Sequence, residues 1–187
     1  MGIKVLFIYP NNPGMILPPP ALALFSSILK KEGHKMEIFD LSFYSTEFGI
    51  NSDGSRAENL NVLPFNMGSK GGVKKLNWKS DIKNQLKRFQ PDLIGITSTE
   101  DMWELGMYVL DEIKEFKVKN KVPVIAGGVF CTFAPDLCIK YPYVDMVCVG
   151  EGEQALVSLC KKIEKGEDYS NVTNLWVKKE DGKIAKN

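Results

Sequence analysis

Histidine is almost missing from this sequence: His34 is the only one among 187 residues. Chemistry that needs two imidazoles from one chain is excluded, and so is a zinc site of the His-rich kind. Excess charge of either sign is missing too. Lys and Arg number 24 against 23 Asp and Glu, a net charge of +1. That balance gives no global electrostatic reason to bind nucleic acid or an anionic membrane, and neither is expected as a partner. Cys131, Cys138, Cys148 and Cys160 form no Cys-x-x-Cys pair, and their gaps match no zinc or iron–sulfur ligand set. Buried free thiols in a reducing compartment are expected instead, with no metal ligand among them. No apolar run approaches the roughly 20 residues of a membrane span. The N-terminal apolar stretch has no small-residue cleavage site behind it, so a cytoplasmic location is expected. What remains is average globular usage, 44% hydrophobic and 25% charged. The length suits one α/β domain, or one domain with an appendage.

The apolar runs alternate in kind. Ile3 to Tyr9 is an unalternated β-branched and aromatic run, the pattern of a strand buried on both faces, and Pro10-Asn11-Asn12-Pro13-Gly14 stops it. Pro18-Pro19-Pro20 opens a helix that Lys30, Lys31 and Gly33 close. His34 to Asp40 is a second strand, with Met36, Ile38 and Phe39 turned inward. Residues 42 to about 76 are rich in Ser, Asn and Gly with scattered aromatics, and read as a long insertion that partly packs down. Ile82, Leu86 and Phe89 mark an amphipathic helix. Leu93 to Thr97 is a third strand, Trp103 to Phe116 a helix, Val122 to Ala126 a fourth strand, and Pro135 to Ile139 a short helix. Val144 to Val149 is a fifth strand, and Ala155 to Ile163 the last helix. This alternation predicts a five-stranded parallel sheet of flavodoxin-like (Rossmann-like) order 2-1-3-4-5 with helices on both faces. It occupies residues 1–166. Residues 167–187 form a C-terminal β-hairpin extension turning at Asp181-Gly182.

In such a sheet a ligand sits outside the carboxyl ends of the strands. The loop after the first strand has no acidic residues for magnesium, no Ser/Thr-rich phosphate grip, and no Gly-x-Gly-x-x-Gly or P-loop pattern. Thr97-Ser98-Thr99 places three hydroxyls at the end of the third strand. They can bond a ligand, or Thr99 and Asp101 can cap the next helix. Gly127-Gly128, followed by Val129, permits close backbone approach to a ligand or simply a tight turn. Gly150-Glu151-Gly152-Glu153 sets two carboxylates at a helix start, first of all a dipole device. Residues two apart do not share a helix face, which speaks against an acid/base pair. His34 lies at the amino end of its strand, away from these loops, and is expected to be a partly exposed edge residue.

These segments, in this order, carry a resemblance. They are Val5 to Pro10, the Pro-rich entry to the first helix, Pro91 to Thr97, Ala126-Gly127-Gly128, Asp145 with Val149 to Glu153, and the tail Asn174-Leu175-Trp176-Val177 with Asp181 to Ile184. Together they resemble the N-terminal cobalamin-binding domain of B12-dependent radical SAM enzymes. Nearly the whole chain takes part, apart from the insertion. No single segment is diagnostic; Gly-Gly followed by Gly-Glu-Gly-Glu and a terminal hairpin is the specific combination.

The resemblance implies cobalamin as the cofactor of this domain. It implies S-adenosylmethionine and a 4Fe–4S cluster only in a downstream radical SAM domain of the same polypeptide, absent from this sequence. Corrinoid carriers of the methionine-synthase type place Asp-x-His-x-x-Gly after the first strand, with the histidine below cobalt. Here no histidine follows that strand, so base-off binding without a histidine ligand is implied. The lower face would then meet Pro10, Asn11, Asn12 or the loop up to Pro18. The nucleotide tail would run between the first and third strands, meeting Thr97, Ser98 and Thr99 on one side and Gly127, Gly128 and Val129 on the other, with Gly150, Glu151 and Gly152 close by. Methyltransferase-type chemistry is implied for the parent protein. Two other readings stay open: a related fold that has lost cobalamin and serves as a docking or scaffolding domain, and a self-contained enzyme of flavodoxin-like fold. No nucleophile-plus-base constellation supports the last, and catalysis by this chain alone is not expected under any of the three.

Overall fold

In the computed structural model, residues 2–12, 18–44, 46, 77–179 and 181–187 are described. The expectations for residues 47–76, and for the loop between Asn12 and Pro18, lie outside the described residues.

The strands are β1 (Lys4–Tyr9), β2 (Lys35–Asp40), β3 (Leu93–Thr97), β4 (Val124–Gly127), β5 (Met146–Cys148), β6 (Leu175–Lys178) and β7 (Ile184–Lys186). The helices are α1 (Pro20–Lys31), α2 (Trp78–Phe89), α3 (Glu100–Glu112), α4 (Lys114–Asn120), α5 (Val129–Phe133), α6 (Pro135–Cys138) and α7 (Glu153–Lys165), with a 3-10 turn at Leu41–Phe43. The sheet among the described residues has seven strands in the order β2-β1-β3-β4-β5-β6-β7. The expected count of five is therefore corrected. The first five strands run parallel, and the hairpin does not stand apart: β6 adds antiparallel to β5 through Val147↔Trp176, and β7 follows it.

Strand alternation divides the apolar residues between two faces. Leu6 and Ile8 of β1, Ile94 and Ile96 of β3, and Val124 and Ala126 of β4 pack against α2 and α3 through Ile82, Leu86, Val109 and Leu110. Val5, Phe7, Ile125, Met146 and Cys148 turn to the other face, where Leu22 and Leu29 of α1 meet Leu156 and Leu159 of α7. The result is a three-layer α/β/α domain whose continuous apolar strands are explained by burial on both sides.

Several local expectations change. In β2 only Phe39 is buried; Ile38 is 39% exposed, because an edge strand has one open flank. The helix after β3 starts at Glu100 rather than Trp103, and ends at Glu112, where Ile113 (φ −107°) breaks it from α4. Residues 129–133, to which the sequence pattern assigned no element, form α5. His34 is buried at 4% exposure, not partly exposed. Its Nδ1 accepts a 3.2 Å bond from the Ile3 amide at the amino end of β1, which places the proton of the neutral ring on Nε2. All four cysteines are free and buried. Among the described residues no helix is long and apolar enough to cross a membrane.

Candidate functional site

The carboxyl ends of β3, β4 and β5 open into a slot on the face covered by α1 and α7, enclosing about 640 Å3 with its open mouth. Apolar side chains make its walls: Phe7, Ile96, Ile125, Ala21, Phe25 and Leu156. Backbone makes its rim, at Gly127, Gly128, Gly150 and Gly152, with Thr97, Cys148, Glu151 and Glu153 among them. Phe7 and Phe25 stack with centroids 5.6 Å apart. Gly95 makes room for this wall, since a Cβ there would stand 2.5 Å from the Phe7 ring. Gly152 does the same on the other side: its Cβ would lie 3.0 Å from Phe25.

The turn after β4 is drawn tightly against β3. The Ser98 amide donates to the Gly127 carbonyl at 3.2 Å. Gly128 has φ +100°, and a Cβ there would meet the Ser98 carbonyl oxygen at 2.8 Å. Only glycine satisfies both conditions. The loop after β5 is held from two sides. The Gly150 amide donates to Thr132 Oγ1 at 3.1 Å, and Asn174 Nδ2 donates to the Glu151 carbonyl at 3.1 Å. The Asn174 carbonyl also accepts from the Val149 amide at 2.8 Å, so the residue just before β6 braces the loop.

Electrostatically the slot is quiet. Burial, with Glu153 and Glu151 nearby, pushes the Cys148 thiol up to about 11. The thiol is therefore neutral at physiological pH and acts as an apolar wall rather than a nucleophile. Among the described residues no three His, Cys, Asp or Glu side chains cluster as metal ligands.

Of the residues singled out from sequence, Thr97, Gly127, Gly128, Gly150, Glu151 and Gly152 come together on this slot. Ser98 is buried beside it, its hydroxyl donating to the Thr99 carbonyl at 2.7 Å. Thr99 stands at the N-cap of α3 but makes no side-chain capping bond. Val129 opens α5 and is 63% exposed. The segment after β1 turns the other way: Pro10 packs against Gly106 of α3, and Asn11 Nδ2 donates to Ser42 Oγ at 2.8 Å. Asn12 is buried, with its Oδ1 lacking a hydrogen-bond partner. Pro18 is exposed ahead of α1. The slot spans β3, β4 and β5 rather than the β1–β3 crevice alone. Reading strand ends as loops missed its apolar walls and its two braces, Thr132 and Asn174. The spacing of Ala21 and Phe25 on one helical face was the available signal for the α1 wall.

A family model for the B12 binding domain matches residues 62–160. The chain belongs to the B12-binding domain family. An uncharacterised methyltransferase of Pyrococcus horikoshii is 35% identical to this B12-binding domain, over 97% of the chain and 34% of the relative. The cytidylyl-2-hydroxyethylphosphonate methyltransferase of Streptomyces wedmorensis is 22% identical over 89% of the chain and 28% of its own length. This domain thus spans about a third of the curated relatives it matches. Among solved structures, the radical S-adenosylmethionine methyltransferase TsrM from Kitasatospora setae, with cobalamin and a 4Fe–4S cluster bound, superposes with a TM-score of 0.70 at 21% identity, covering 97% of this chain and 28% of that one. The cobalamin-dependent radical enzyme OxsB, with aqua-cobalamin and S-adenosylmethionine bound, gives 0.68 at 22% identity, over 99% of this chain and 22% of that one. At these identities the likeness is one of fold.

Proposed function

We propose that this B12-binding domain is the cobalamin-holding module of a longer radical SAM enzyme with methyltransferase-type chemistry. The observation that carries the reading is the slot. Its walls are apolar and partly aromatic, and its rim is glycine backbone with the Thr97 hydroxyl. That combination fits a flat, largely neutral ring system trailing sugar and amide groups. Phe7, Phe25, Ile125 and Leu156 receive the apolar ring of the nucleotide tail. Gly127, Gly128 and the Gly150-Glu151-Gly152 loop bring peptide N–H and C=O groups close to its polar parts. Thr97 adds a hydroxyl that both donates and accepts. Pro10 and Asn11 anchor the segment after β1 on Gly106 and Ser42, and Asn12 with Pro18 would meet the lower side of the corrin. The unpartnered Asn12 Oδ1 is a buried acceptor in that segment, and such a group calls for a donor.

Bound cobalamin supplies methyl-transfer chemistry at its cobalt. This chain's part is to bind and orient it. Its one imidazole, His34, is engaged by Ile3 at the amino end of β1, so no histidine of this chain would ligate cobalt. With the nucleotide tail lodged in the slot, binding would be base-off. In this reading residues 1–166 form the cobalamin-holding unit, and 167–187 lead toward a radical SAM domain that carries S-adenosylmethionine and the iron–sulfur cluster. Relatives named methyltransferases, of which this chain covers about a third, support its being one part of a longer enzyme.

Titration of the domain with hydroxocobalamin, followed by absorbance, tests the reading. A saturable spectral shift of base-off form is expected. Absence of any shift up to roughly millimolar cobalamin would sink it in favour of a docking domain without cofactor.

A further inference from the structure

Thr132 carries a role that the strand-end motifs do not reveal. The β4–β5 pairing ends at Ala126↔Val147. Beyond it the two chains diverge into the slot's rim, one through Gly128 at φ +100° and the other through Gly150 at φ +85°. Both are glycines at positive φ, and nothing in the ladder fixes the distance between them. Thr132 bridges the gap with one hydroxyl. Its Oγ1 donates to the Gly128 carbonyl at 3.1 Å and accepts from the Gly150 amide at 3.1 Å. The first bond is the i to i−4 back-bond typical of threonine in a helix, and it aims the oxygen's remaining lone pairs away from the helix. The second uses that direction to catch the neighbouring loop. A hydroxyl is suited to this because it donates and accepts at the same atom.

We infer that Thr132 is a positioning residue that sets the width of the cobalamin slot by clasping the Gly150 loop to the Gly128 turn. The slot's role in holding cobalamin rests on the function proposed above; the clasp itself does not. The Gly150 amide is exposed at the surface, so losing the bond lets water replace it and leaves the fold standing. What is lost is the restraint on the rim, and a site held loosely binds weakly.

The test compares the wild-type domain with Thr132→Val, which keeps shape and removes the hydroxyl, and Thr132→Ser, which restores it. Amide hydrogen exchange at Gly150 is expected to quicken about fivefold in Thr132→Val and to return to wild-type rate in Thr132→Ser, as the loss of one modest hydrogen bond predicts. Exchange in β1 and β3 is expected to stay unchanged in both. Hydroxocobalamin affinity is expected to fall roughly five- to tenfold in Thr132→Val and to recover in Thr132→Ser. Unaltered Gly150 exchange in Thr132→Val overturns the clasp, and faster exchange with wild-type affinity overturns its role in setting the width of the slot. If the wild-type domain binds no cobalamin, the functional reading fails by itself, and the exchange comparison still decides the clasp.

Discussion

The ring of Phe7, on β1, stacks on the ring of Phe25, on α1, with 25° between their planes. This pair joins the sheet to the first helix and is also one wall of the slot. Two glycines exist in relation to it: Gly95 leaves space behind Phe7, and Gly152 leaves space beside Phe25. Packing and binding are therefore coupled at one contact. Phe25→Ala removes the wall and is expected to lower stability by about 1–2 kcal/mol, since the side chain is only half-buried. Gly95→Ala forces the Phe7 ring into the slot and is expected to cost roughly 1–3 kcal/mol, the range for overpacked cores. Urea unfolding reads the stability. Cobalamin titration is expected to show weaker binding for both variants by about tenfold, one poorly filled wall's worth.

The two adjacent glycines Gly127 and Gly128, the last residue of β4 and the one after it, are predicted to behave differently. Gly128→Ala meets both a positive φ and the Ser98 carbonyl, and is expected to cost about 1–3 kcal/mol. Gly127→Ala meets only Cys148, at 3.7 Å and in ordinary contact, so its melting temperature is expected to match wild type. Gly127→Val is expected to fold as well and to weaken cobalamin binding by about tenfold, by occupying the slot with two methyl groups. Thermal melts of the three variants, beside their titrations, separate the turn's need for glycine from the ligand's.

Alkaline pH is expected to act through the buried thiols. The folded Cys148 thiol is raised from 9.0 to about 11, and burial beside Glu164 raises that of Cys160 to about 12. Below pH 9 both states hold these protons and nothing changes. Above it the unfolded chain loses them while the folded chain keeps them, so stability falls as pH rises from about 9 toward 11. The slope is roughly 1.4 kcal/mol per pH unit for each thiol. Urea midpoints at pH 8, 9 and 10 are expected to decline less steeply for Cys148→Ala than for wild type. Equal slopes would mean that the thiol is not shielded.

His34 separates structure from ligation. His34→Gln strands the Ile3 amide or leaves it a poorer acceptor, and is expected to cost about 1–2 kcal/mol. The absorbance of bound hydroxocobalamin, and the electron paramagnetic resonance of its reduced cobalt(II) form, are expected to be identical in the variant and wild type. A nitrogen hyperfine pattern that vanishes with His34→Gln would show that the imidazole does reach cobalt.

Strand identity and order along the chain were legible because burial on both faces leaves unbroken apolar runs such as Val5 to Ile8. The glycine-bearing ends of β4 and β5 were legible because a turn with positive φ restricts residue type wherever it occurs. The partner of the hairpin was not. Val147↔Trp176 is a pairing between distant segments, and no local pattern in either names the other. Helix α5 was hidden because Val129-Phe130-Cys131-Thr132-Phe133 is nearly all apolar and shows no helical period. His34 looked exposed beside Gly33 and Lys35, yet the start of β1 closes over it.

By itself the sequence determined a two-sided α/β sheet, ligand-facing loops rich in glycine and hydroxyls, and a chain with no imidazole to offer at those loops. Tertiary structure decided the rest. It turned Pro10 and Asn11 toward α3 and the 3-10 turn, brought Phe25 of α1 over Phe7, extended the sheet through the hairpin, and placed the Thr132 hydroxyl between two loops. The reason is physical. Periodicity and turn chemistry are short-range and are written residue by residue, whereas a slot is the space left between elements whose distances are fixed only by packing.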